Sequence, residues 1–154
     1  MKHITLAVVC LFAIQAVFAN GDFCKSLEEV IKIAQKNDAT LLGEKLTTWN
    51  GTTDYNFPYL LEGASNSIAR LNENGVTIFQ YFGKQDSYDN LIDLFNQTNA
   101  SLANCGIELS QDRWGVLRAD QGGVIYSLEL MELFYDEETE ATMYRVSMQL
   151  TVRE

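Results

Sequence analysis

Residues 144–152 read YRVSMQLTV. Tyr144, Val146, Met148, Leu150 and Val152 fall on one side of an extended chain, and Arg145, Ser147, Gln149 and Thr151 on the other. An apolar/polar alternation of period two marks a strand with one side in a core and the other in water, as in a half-exposed antiparallel sheet. Upstream, residues 124–135 are also strand-like, and DEETE at 136–140 separates the two runs. The pair predicts a long hairpin over 124–135 and 141–153. QGG at 121–123 supplies the turn that leads into it.

Further upstream, VTIFQYF at 76–82 is apolar on both sides and predicts a central strand over 76–83. NENG at 72–75 joins it to a strand over 66–72 by a short turn. Residues 40–49 predict another strand, weakened at Gly43, and residues 107–117 one that bends near Gln111 and Asp112. Pro58 confines its neighbourhood to a loop or a sheet edge, because it has no N–H to donate.

Two segments carry the helical period instead. Ser26 and Glu29 match a capping box, and Leu27, Val30, Ile31 and Ala34 recur on one side, predicting a helix over 26–36 that stops at Asn37-Asp38. Asp86 or Ser87 starts a second helix whose stripe is Leu91, Leu94, Phe95, Thr98, Leu102 and Cys105, with Gly106 as its stop. The expected fold is α+β, in the order α-β-β-β-α-β-β-β, an antiparallel sheet with both helices on one face.

Residues 1–19, MKHITLAVVCLFAIQAVFA, have a basic front end, an apolar centre and a small residue at the end. This is the layout of a secretory signal peptide, cleaved after Ala19, and it leaves residues 20–154 as a single domain. The apolar run is short of the ~20 residues needed to cross a bilayer. Cleavage removes Cys10 and leaves Cys24 and Cys105, so an oxidising compartment predicts one disulfide between them. The expected location is periplasmic or secreted, with no membrane span once the leader is gone.

The 154-residue chain carries a net charge of −10, which disfavours nucleic acid as a partner. The single histidine, His3, leaves with the leader. Imidazole bases and histidine-ligated metals leave with it, and a bridged pair of cysteines removes thiol chemistry as well. No catalytic residue, cofactor or metal ligand is assigned. Asp136, Glu137, Glu138 and Glu140 read as a solvated turn, since calcium loops draw on Gly and Asn. Glu129 and Glu132, at i and i+3 on a strand, point to opposite faces and make a poor carboxylate pair. Three Asn-x-Ser/Thr triplets begin at Asn50, Asn96 and Asn99, the last two inside the predicted second helix.

The most suggestive constellation is aromatic. Tyr55, Phe57 and Tyr59 alternate on an extended segment preceded by Trp49, and rings on one side of an edge would offer contact area to a sugar or a peptide. CKSLEEVI at 24–31, LLGEK at 41–45, a tryptophan ending the next strand, and LLEGA at 60–64 before SIARL at 67–71 resemble small exported bacterial proteins of uncharacterised function. The strand and helix order is similar to the type III secretion chaperone-like fold. That resemblance implies dimerisation and the binding of extended partner segments, although those chaperones lack a leader and a disulfide.

The expected function is therefore a non-enzymatic binding module holding a protein segment or a glycan through a sheet edge or the aromatic patch, as a monomer or a homodimer. Two alternatives stay open. One is a histidine-free hydrolase working through carboxylates. The other is an envelope protein that self-assembles through its last strand.

Overall fold

The computed structural model describes residues 22–153. The expected signal peptide and its cleavage site lie outside the described residues. Helix α1 covers residues 22–35, and a 3-10 turn at Ala39–Leu41 follows it. Strands β1 (Glu44–Trp49), β2 (Thr52–Asn56), β3 (Ala64–Asn72) and β4 (Gly75–Asp86) precede helix α2 (Tyr88–Asn104). Strands β5 (Ser110–Gln111), β6 (Leu117–Gln121), β7 (Val124–Asp136) and β8 (Ala141–Arg153) complete the chain.

All eight strands form one antiparallel sheet in the order β1-β2-β3-β4-β8-β7-β6-β5. Each half of the chain is a helix followed by a four-strand meander, and the two meanders meet at the β4–β8 pair. The fold class is the expected α+β with helices on one face. Each half has one strand more than the sequence pattern predicted. In the first half the extra strand comes from Asn50-Gly51. Both residues have positive φ (45° and 75°), the geometry of a two-residue hairpin turn that matches strand twist. In the second half, the single strand expected over 107–117 is reduced to Ser110–Gln111. Asp112 then turns the chain, and pairing resumes at Leu117.

The register explains which face is dry. Val76, Ile78, Gln80 and Phe82 of β4 stand opposite Val152, Leu150, Met148 and Val146 of β8, and these stand opposite Val124, Tyr126, Leu128 and Leu130 of β7. Nearly all are buried, and both helices pack against them. From α1 come Phe23, Leu27, Val30 and Ala34, a stripe at steps of four, three and four. From α2 come Leu91 and Leu102. Cys24 and Cys105 are bridged, with Cα atoms 5.4 Å apart, and tie the first turn of α1 to the C-cap of α2. The expected disulfide is thus present.

Helix α1 starts earlier than the capping box at Ser26 suggested. Burying Phe23 and anchoring Cys24 both require the helical turn before Ser26. The Ser26 hydroxyl is therefore free of capping duty. It donates to the Phe23 carbonyl (2.9 Å) and accepts the Glu62 N–H (3.2 Å), pinning the loop between β2 and β3.

Candidate functional site

The four aromatic residues singled out in the sequence do not share a surface. Phe57 is 2% exposed and belongs to the core. Tyr55, opposite Ala69, is half-buried against that core. Tyr59 leans on Phe57 with ring centroids 5.4 Å apart. Trp49 pairs with Thr52, on the opposite face of the sheet from Tyr55, and is 74% exposed. The alternation is real, but the chain leaves β2 at Asn56 and folds over the core, so the rings cover the sheet rather than offer an edge. Beside Trp49, the hollow between Thr47, Asp54 and Arg70 is about 130 Å³. Ligand pockets run to roughly 300 Å³ and upward.

The face without helices is largely occupied by its own side chains. The Arg70 guanidinium forms a two-pronged pair with Asp54 (Nε to Oδ1 2.8 Å, Nη2 to Oδ2 2.9 Å) and lies 5.1 Å over the Phe79 ring. The hydrogen bond from Arg70 holds the Asp54 carboxyl below its ordinary pKa. Arg145 lies 5.4 Å over the Tyr81 ring, and burial pushes the Tyr81 phenol upward, so it stays neutral. Gln149 donates to Glu129 at 3.0 Å. Beneath this layer Ser147 is fully buried, and its hydroxyl has no hydrogen-bond partner.

A larger concavity lies at the other end of the sheet. A groove of about 380 Å³ opens between the start of α2 and the turn from β5 to β6. Tyr88 and Phe95, two helical turns apart, form one wall, and Trp114 to Leu117 the other, with Glu129 and Leu130 of β7 also lining it. Tyr88 is braced edge-on against Tyr144, ring centroids 5.8 Å apart. A hollow of about 440 Å³ beside Glu73, Asn74, Thr151 and Arg153 is roomier but has no ring or aliphatic side chain larger than threonine among them.

Trp114 is 75% exposed, yet local chemistry holds its backbone. One oxygen of Asp112 accepts the N–H groups of Trp114 (2.8 Å) and Val116 (3.0 Å), and its other oxygen pairs with Arg118 at 3.3 Å. Gly115, at φ 82°, lets the turn close. The Arg113 guanidinium stacks on the indole at 4.9 Å. A large apolar ring is thus held in water on a rigid turn at the mouth of a groove.

Sequence reasoning missed this site because it ran residues 107–117 together as one strand. The signal was available: an Asp three residues before a Gly is good turn chemistry.

The groove opens where the sheet loses a strand. Strand β6 accompanies β7 only from Val124 to Leu128, and β7 continues to Asp136 with β8 as its partner on the other side. Glu129 and Leu130 are the first β7 residues past the end of β6. Glu129 also borders the groove, while its carboxylate accepts from Gln149 on the face without helices. Glu132 lies on the other face, opposite Tyr144, so the two do not meet in a shared site.

Comparison of the chain with protein-family models, with curated proteins and with solved structures returns no match. Among the described residues no helix is long and apolar enough to cross a membrane, and no group of three or more His, Cys, Asp or Glu side chains is placed to hold a metal ion.

Proposed function

We propose that this protein is a non-enzymatic binding module of an oxidising compartment, periplasmic or extracellular, and that it holds a protein segment in the groove between α2 and the β5–β6 turn. The observation that carries the reading is Trp114, held exposed by the Asp112 turn beside a groove of mixed aromatic, aliphatic and polar lining that runs onto the stretch of β7 that β6 leaves unpaired. Rigid exposed aromatics give much contact area at small entropic cost, and tryptophan is among the residues most enriched in binding hot spots. A groove that opens onto an unpaired strand edge suits an extended polypeptide, whose main chain can pair with that edge. The Cys24–Cys105 disulfide supports the compartment.

Selection from a phage-displayed library of linear peptides tests the reading. The wild-type domain enriches a set of sequences with a shared apolar anchor, and the Trp114→Ala and Tyr88→Ala variants fail to enrich it. No enrichment by the wild type, or the same set with all three baits, overturns the assignment.

A further inference from the structure

We infer that the occupant of the groove is a cationic segment that adds to the sheet as a strand along the free edge of β7 from Glu129 onward. The inference rests on the reading of the groove as a polypeptide site and specifies the ligand's chemistry and its mode of binding.

Geometry supplies the mode. Past Leu128 the β6 side of β7 has no strand partner among the described residues, so alternate N–H and C=O groups face outward there. Such an edge is a template for another strand, and main-chain pairing of this kind gives affinity while adjoining pockets give specificity. Here the adjoining pocket is the groove itself. An added strand that continues the line of β6 passes Val116 and can seat one apolar side chain among Phe95, Trp114 and Leu130. The β-bulge between Glu132 and Phe134 limits regular pairing to the stretch before it.

Charge supplies the ligand. Between Glu129 and Arg145 the β7–β8 arm carries Glu129, Glu132, Asp136, Glu137, Glu138 and Glu140 against Arg145 alone, and Arg145 is stacked on Tyr81. Of the cations near the groove, Arg118 is already paired with Asp112 and Arg113 is stacked on the Trp114 ring. Natural proteins guard edges with charge, but such edges are also cleared of large apolar groups. This arm keeps Phe134 and Tyr135 exposed. Pairing with a second copy through the same edge would set its carboxylates against their own counterparts, and like charges directly opposite are destabilising. A strand with Lys or Arg at alternate positions has neither problem.

The test uses a nine-residue peptide in which Lys alternates with Val and one central Leu, together with versions carrying Gln or Glu in place of Lys, and a Lys version N-methylated at alternate residues. Titrations follow Trp114 fluorescence in a Trp49→Phe background at low and physiological salt, and amide exchange is read over residues 129–133. The Lys peptide binds, weakens with salt and slows exchange at alternate amides of that stretch. The Glu and N-methylated peptides bind at least about 10-fold more weakly. The Glu129→Gln variant loses about 2- to 5-fold for the Lys peptide and nothing for the Gln peptide.

Equal affinity for Lys, Gln and Glu peptides overturns the charge assignment and leaves the polypeptide site standing. Indifference to N-methylation overturns strand addition. Failure of every peptide to perturb Trp114 overturns the polypeptide site as well. Concentration-dependent protection of the same amides without peptide assigns the edge to a second copy.

Discussion

The side-chain amide of Gln80, fully buried on β4, donates to the main-chain carbonyl of Tyr59 at 3.0 Å. Its nitrogen also donates to Ser67 Oγ (2.8 Å), and its oxygen accepts the Leu61 N–H (3.2 Å). One polar side chain thus clamps the 57–63 loop onto the sheet from below. The aromatic stretch is held down as cover for the core, which is why its rings form no open edge. A Gln80→Met substitution keeps much of the volume but strands the buried Leu61 N–H and takes a partner from the Tyr59 carbonyl and from Ser67, which keeps its bond to Phe79. An unmade bond to a buried group costs about 1–3 kcal/mol, so the expected loss is at least ~2 kcal/mol, measured by urea unfolding.

Reduction of the disulfide, or Cys24→Ser/Cys105→Ser, frees a crosslink spanning 81 residues of sequence. The chain-entropy estimate for such a loop is roughly 4–5 kcal/mol. We expect a loss of unfolding free energy approaching that value, seen as a lower denaturation midpoint, and the same loss on adding reductant to the wild type. A protein whose midpoint ignores reductant would show that the helices are held by packing alone.

Asp54 titrates with a visible sign. Its folded pKa is lowered, chiefly by the hydrogen bond from Arg70, so its stabilising effect is complete above the ordinary aspartate pKa of ~3.9 and is lost as pH falls through the depressed value. Asp54→Asn is therefore expected to cost about 1 kcal/mol or less at pH 7, where Arg70 is partly solvated, and to converge with the wild type in strong acid. Paired unfolding curves across that range check it.

Ser147 sits beneath the open face with a hydroxyl that bonds to nothing. Replacing it with alanine removes a buried polar group without removing a partner, and the expected outcome is a gain of up to ~1 kcal/mol. A loss of that size would mean the hydroxyl is satisfied in solution.

Gly43 turns the chain from the 3-10 segment into β1 at φ 97°. A Cβ there would meet the carbonyl oxygen of Asn56. Gly43→Ala is expected to lose at least ~1–3 kcal/mol, from backbone strain and the clash together. Trp114→Ala, by contrast, should leave the melting temperature nearly unchanged, since little of the ring is buried.

Most of the sheet was legible because burial on one side imposes a two-residue period, and β8 displays it from Tyr144 to Val152. The second helix was legible for the same reason at its own period, through Leu91, Leu94, Thr98 and Leu102. The first helix was placed late because Ser26 and Glu29 imitate a cap. Only packing reveals that Phe23 and Cys24 are needed in the core and the bridge. The hairpin at Asn50-Gly51 could have been read from its dipeptide.

The groove is different in kind. Its walls come from α2, from the Asp112 turn and from the point on β7 where β6 ends. Nothing in the local pattern of any one segment records where its neighbour stops. Amino-acid order alone determined which residues turn inward, since hydrophobic burial acts residue by residue along each strand and helix. Which surfaces remain outside, Trp114 facing a groove while Phe57 is sealed beneath a loop, was decided only by the assembled sheet, because exposure depends on what distant parts of the chain come to cover.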